Sequence, residues 1–251
     1  MKTKIAIITF TGFVLMYAVG LKAEGDWDIY SDALIKEGDD YWTVRIFDSP
    51  PVHTTVDMTG GWANVIQTYD ASTFNMSGGI TEVSAHDVST INMGGGKIYT
   101  LQAAESSTAN VFGGRVNSLG AWNNGTVNVW DDADVVAVDT REQGVVNITG
   151  GTVDSARVLE LGIVNLSGGF LRDCLYAGDS GIVYVYGNNL FKVPNDGEYG
   201  YGFVYGSWYD GANFHIDFGN FETYSHVILI PEPSTVLLLF TGSILLKRRK
   251  R

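Results

Sequence analysis

Residues 89–98, STINMGGGKI, decide the reading of this chain, because they return in altered form along most of its length. The units begin TTVDMTGGWA at 54, STFNMSGGIT at 72, STINMGGGKI at 89 and STANVFGGRV at 107. GTVNVWDDAD at 125, GVVNITGGTV at 144, GIVNLSGGFL at 162 and GIVYVYGNNL at 181 follow. Their central residues are Asp57, Asn75, Asn92, Asn110, Asn128, Asn147, Asn165 and Tyr184, spaced 18, 17, 18, 18, 19, 18 and 19 residues apart. So constant a period is the signature of a repeat architecture.

Around each centre the pattern alternates, as in a strand whose successive side chains point to opposite faces. The position before the centre holds Val56, Phe74, Ile91, Ala109, Val127, Val146, Val164 and Val183. The position after it holds Met58, Met76, Met93, Val111, Val129, Ile148, Leu166 and Val185. That face is expected to point inward, leaving the Asn column outside as a ladder between stacked strands. Gly-Gly follows three and four residues later in six of the eight units, as a tight corner with positive φ requires. Asp131-Asp132 and Gly187-Asn188 are read as substitutes at that corner. Two further apolar columns follow: Ile98, Val116, Val153, Leu171 and Leu190, then Ile66, Leu101, Leu119, Ala137, Ala156, Cys174 and Val193.

A strand, a glycine corner and a second short strand every 18 residues predict an all-β fold. It is a single-stranded β-solenoid (parallel β-helix) of about eight coils over 53–193. A propeller blade is longer, at about 40 residues, and no six-residue subperiod of a hexapeptide helix is present. Residues 24–52 read as an N-terminal β cap. Residues 194–230 read as a C-terminal cap in which YGFVYGSW and NFHIDF flank the turn Asp210-Gly211, a hairpin signal. Caps protect the exposed strand edges at the ends of a solenoid.

The termini differ in character from this middle. Lys2 and Lys4 precede an apolar run from Ile5 to Val19 and a small-residue exit at Gly20 to Ala23. This predicts a signal peptide over 1–23. At the other end, Pro231-Glu232-Pro233-Ser234 precedes the apolar stretch 236–246, and the chain closes on Lys247, Arg248, Arg249, Lys250 and Arg251. Between these ends, residues 24–230 hold 8 basic and 27 acidic residues, a net charge of −19. That excludes the positive footprint nucleic acid needs.

The C-terminal arrangement resembles the PEP-CTERM sorting signal of Gram-negative bacteria over residues 231–251. With its repeats, the whole chain resembles the repeat-bearing members of that group, whose coils are similar to those of autotransporter passengers. The resemblance implies processing by a membrane-embedded exosortase, a short transmembrane helix before cleavage, and display at the cell surface or in an extracellular matrix. It also implies the company of exopolysaccharide, and no defined reaction or cofactor. The expected role is therefore that of a noncatalytic surface or matrix protein. The alternatives are a carbohydrate-binding adhesin using the outward ladders or the aromatic cap, and a β-helix polysaccharide lyase or hydrolase.

Candidate chemistry is sparse. The cluster Asp131, Asp132, Asp134 and Asp139 offers the best carboxylates for catalysis, with Asp131, Asp132 and Asp134 as weak calcium candidates. Arg115 is the lone base expected near them. A role in the turn accounts for the first two. His53, His86, His215 and His226 lack ligand spacing, and Cys174, the one cysteine, falls at a column position that predicts burial.

Overall fold

The computed structural model describes residues 25–231, and they form one β-solenoid of about nine turns. Five of the eight repeats open with a four-residue strand such as Thr90–Met93, Thr108–Val111 or Thr126–Val129, in which inward residues are buried and outward ones half-buried; in the other three the strand runs on through the corner. The eight centres stack in one parallel register: Asp57, Asn75, Asn92, Asn110, Asn128, Asn147, Asn165 and Tyr184 pair in succession. After the glycine corner comes a seven-residue strand such as Lys97–Ala103 or Thr152–Val158. Two consecutive outward residues break its alternation, Tyr99-Thr100 in the first case and Asp154-Ser155 in the second. The strand therefore bends there, and the coil has three sides. Five inward positions fill it; for the coil at 108 they are Ala109, Val111, Val116, Leu119 and Ala121, all fully buried.

The two glycines of a corner serve different ends. The second takes a positive φ, +94° at Gly79, +80° at Gly114 and +79° at Gly169, which costs a side chain 1–2 kcal/mol or so. The first has an ordinary φ but lies against the preceding coil. A Cβ on Gly168 would stand 2.2 Å from the Thr149 carbonyl oxygen, and one on Gly78 would stand 2.4 Å from that of Thr59.

A third side closes through a turn that the repeat pattern alone does not announce. Asp70, Asp87, Glu105, Asn123, Glu142, Glu160 and Asp179 adopt φ between 48° and 60° there. In each case the amide two residues on bonds the carbonyl of the residue before, as in Ser89 to His86 and Gly144 to Arg141. The residue that closes the turn is Ser in early coils and Gly later. It sits hard against the neighbouring coil, for a Cβ on Gly144 would be 2.0 Å from the Ala121 carbonyl oxygen.

Coil length varies only beyond the first strand. Val111 to Val116 spans a corner that becomes one residue longer between Val129 and Val135, where Val116 pairs with Val135. Ala133, not Asp132, thus precedes the second strand, and Asp131 alone of the two acids is left-handed, at φ 45°. Asp131-Asp132 is a one-residue expansion of the corner rather than a direct stand-in for Gly-Gly. A second insertion bulges residues 172–174, so that Leu175 rather than Cys174 pairs with Ala156. Val138, not Ala137, pairs with Leu119 for the first reason. Leu190 and Val193 also leave their expected columns. Both belong to the long strand Ile182–Pro194, where they are only half-buried and Val193 pairs antiparallel with Phe203.

The ends are built from the same ladder. Ala33–Ile35 and Asp40–Ile46 pair parallel with the coil after them, so residues 33–46 make a coil in which Leu34 replaces the Asn, and Trp27–Ile29 stacks in turn on Asp40–Ile46. At the other end Gly202–Ser207 and Asn213–Phe218 form the expected hairpin. Its loop is closed by Trp208 and Ala212, with Gly211 at φ +90°, a turn followed by a left-handed residue. The hairpin folds Val204, Trp208 and Ile216 into the core, and the Trp208 indole nitrogen donates to the Gly169 carbonyl at 3.0 Å. The chain then makes one helical turn, Thr223–His226, and Val227–Pro231 stacks on Ile182–Pro194 as the last strand.

Candidate functional site

The outward side of the first strands is the most regular surface of the molecule. Across residues 55–59, 73–77, 90–94, 108–112, 126–130, 145–149, 163–167 and 182–186, Asp57 is the one charged residue. Elsewhere the chain is strongly acidic, so this side is set apart as a face with a single charge, its amides and threonines giving way to Val145, Ile163 and Ile182 toward the C-terminal coils. Its centre is a hydrogen-bonded chain. Each Asn Nδ2 donates to the Oδ1 of the coil before: Asn75 to Asp57, Asn92 to Asn75, Asn110 to Asn92, Asn128 to Asn110, Asn147 to Asn128 and Asn165 to Asn147, all at 2.8–2.9 Å. Asp57, an acceptor only, heads the chain. Each amide has two N–H donors, and the ladder uses one, so each of the six asparagines keeps a second donor besides its ladder bond. Threonines at 55, 73, 90, 108 and 126 line one side of the ladder.

The opposite arc carries the arginines. Arg115 donates to Asp134 at 2.7 Å, and Arg172 bonds Asp154 at 2.9 Å while lying 3.7 Å from Asp134. Asp139 accepts two bonds from Arg141, at 3.0 and 2.8 Å, and a further one from Arg157. Burial alone would raise the Asp139 carboxyl, but the bonds from Arg141 and Arg157 outweigh it and hold the group below its ordinary range. The expectation of a lone Arg115 beside this cluster is thus corrected. Arg115 and Arg172, three coils apart in sequence, approach Asp134, and Arg141 and Arg157, from adjacent coils, meet on Asp139, because strands one coil apart lie only about 4.8 Å from each other. Among the described residues no group of three or more His, Cys, Asp or Glu side chains is placed to hold a metal ion.

The remaining candidates lie apart. Cys174 is buried in its bulge, and desolvation raises its thiol. His53 bonds Thr73 at 2.9 Å, His226 bonds the Gly181 carbonyl at 2.7 Å, and His215 stands 3.3 Å from Asp217. His86 ends a column of stacked rings with Tyr30, Phe47 and Tyr69, at centroid spacings of 5.0–5.3 Å. Those rings cover one another's faces. The hairpin aromatics divide as alternation requires: Trp208 is buried and Phe214 stacks on it at 3.8 Å, whereas Tyr205 and Tyr209 are exposed. Of the C-terminal motif only Pro231 is described, paired with Gly187. Glu232, Pro233, Ser234, Lys247, Arg248 and Arg249, with the apolar stretch before them and residues 1–23, lie outside the described residues.

No family model, curated protein or solved structure matches the chain.

Proposed function

We propose that this chain is a noncatalytic, exported β-solenoid of the bacterial surface or extracellular matrix, sorted through its C-terminal segment by an exosortase-type membrane enzyme. The observation that carries this reading is the place of the last described strand. Val227–Pro231, the last strand among the described residues, reaches the first residue of Pro231-Glu232-Pro233. In sequence the solenoid thus leads straight into the segment that resembles a sorting signal, an arrangement suited to presenting a rod by one end. Intact-mass measurement on protein from its native host tests this. The expected mass corresponds to a chain beginning near residues 21–24 and lacking 236–251, and a mass that keeps both termini contradicts it.

A second reading, a carbohydrate-binding adhesin, is favoured by the nearly uncharged asparagine face. A neutral polyhydroxylated chain suits such a surface, whereas acidic polysaccharide is repelled by the surrounding charge. The lyase or hydrolase alternative draws less support, since Asp134 and Asp139 are engaged by arginines and hydrolysis asks for two carboxylates free to act on a bond. The full chain is expected to leave neutral and acidic polysaccharides intact, with or without calcium. Release of new ends that is lost in an Asp134→Asn, Asp139→Asn double variant contradicts the noncatalytic reading.

A further inference from the structure

The residue that follows the first strand forms its own outward column, Thr59, Ser77, Gly94, Phe112, Trp130 and Thr149 in successive coils. Phe112 and Trp130 stack at 4.7 Å between ring centroids, and Phe112 is 39% exposed. Trp130 covers one face of the phenyl ring. The column position on its other side is Gly94, which has no side chain to cover the second. From there toward the N-terminus runs a groove of about 370 Å³ with an apolar floor of Met58 and Met76, the exposed Leu34 at its N-terminal end, and a polar row of Asp57, Asn75, Asn92, Thr59 and Ser77 beside Gly94. That volume lies within the range of small-molecule sites, about 300–1,000 Å³.

Gly94 is the informative residue. The run Gly94-Gly95-Gly96 has one glycine more than the corner uses. Gly96 needs its positive φ of +82°, and Gly95 lies 2.6 Å from the Ser77 carbonyl oxygen by the position its Cβ would take. Gly94 has neither constraint: its φ is ordinary, and a Cβ there would have 4.0 Å to its nearest neighbour. Gly in an extended segment weakens it through chain entropy, and neither the corner nor the coil packing asks for one here. What Gly94 does provide is an open ring face beside a row of amides.

We propose that this groove is a glycan subsite, in which a sugar ring of a neutral polysaccharide stacks on Phe112 over Gly94 while its neighbours along the rod meet Asn92 and Asn75. A pyranose offers the chemistry that matches: an apolar C–H face for the ring, and hydroxyls that both donate to and accept from planar amides. The hydroxyls of Ser77 and Thr59 and the carboxylate of Asp57 extend the polar row. The single charge of the face excludes recognition by ion pairing and disfavours an acidic chain. This inference rests on the adhesin reading and assigns it a place.

Affinity electrophoresis of the full chain in mild detergent, through gels containing dextran, galactomannan, xyloglucan or alginate, tests it. At least one neutral polymer is expected to retard the chain and alginate is not. Phe112→Ala should weaken that retardation about tenfold, the scale of one lost ring contact. Gly94→Tyr should abolish it while leaving the melting temperature unchanged, because the new ring has room to complete the stack. Retardation that survives both variants places glycan binding elsewhere and overturns this site while leaving the adhesin reading intact. Retardation by no polymer overturns both. Sedimentation that shows a dimer dispersed by Gly94→Tyr overturns the glycan subsite in favour of a second copy of the chain.

Discussion

The asparagine face and the arginine-bearing arc are made by the same coils, yet they treat length differently. Every departure from 18 residues falls on the arc and its corner. The coil centred on Asn75 loses a residue between Thr81 and Val83, the next but two gains one before Val135, and residues 172–174 bulge. The asparagine strand keeps four positions in the same register in all eight repeats. The reason is the kind of bond each side makes. An amide ladder needs its donor opposite its neighbour's acceptor in every coil, since one residue of slip turns the whole strand over. Long arginine side chains reach across such irregularities, so Arg172 can serve both Asp154 and Asp134.

The largest effect should come from violating the asparagine strand. Val129→Asp buries a charge among fully buried neighbours and should cost more than about 4 kcal/mol, enough to abolish cooperative folding. Deleting Asp132, which only returns its corner to standard length, should cost under about 1 kcal/mol. Thermal unfolding of the two variants compares them directly, and similar losses would erase the distinction between the sides.

Glycines sharpen the comparison further. Gly168→Ala forces a Cβ against the Thr149 carbonyl and should destabilise by about 2–3 kcal/mol, whereas Gly94→Ala should be neutral or slightly stabilising. Denaturant midpoints measured under one set of conditions give both values. A smaller effect is expected at Asn128, which donates to Asn110 and accepts from Asn147. Asn128→Ser removes two half-buried bonds and should cost about 1–2 kcal/mol. That exceeds what an outward position would suggest without the ladder, and a loss near zero would mean the chain of amides contributes nothing.

The smallest effect belongs to the arc. The folded Asp139 carboxyl is held below its unfolded value of about 3.9, so its contribution is present above that pH and is lost as pH falls through the folded value. Solvent access keeps it below about 1 kcal/mol. Stability measured between pH 5 and pH 2 should fall less steeply in an Arg141→Gln, Arg157→Gln variant than in the parent chain.

Much of this was legible in the residues. Sixteen apolar positions flanking eight centres define the inward face, and all sixteen are buried. The glycine corner and the hairpin at Asp210-Gly211 could likewise be read directly. The acidic third turn was hidden because Asp87, Glu105 or Glu142 look like ordinary surface charges. Their signal is the Ser or Gly two residues later, which recurs with the same period. Counting from the Asn places Ala137 and Cys174 in the buried column. Counting cannot register an insertion that occurs between the count's origin and the column, and Val138 and Leu175 fill those places. The first coil escaped notice because Leu34 occupies the ladder position and Lys36-Glu37-Gly38 replaces the glycine pair. At the candidate groove the sequence showed a run of three glycines at 94–96, but not that Gly94 alone of the three has space around it.

The central claim is that residues one repeat apart stand side by side on an outward face. Disulfide mapping in a Cys174→Ala background tests it most directly. Thr108 pairs with Thr126, and adjacent strands place such Cα atoms about 4.8 Å apart, within the span of a disulfide. Thr108→Cys with Thr126→Cys should oxidise to an intramolecular bond without lowering the melting temperature. The pair Thr108→Cys with Ser118→Cys, on different sides of one coil, should remain reduced. A disulfide in the second pair and none in the first would contradict the stacked, register-locked solenoid.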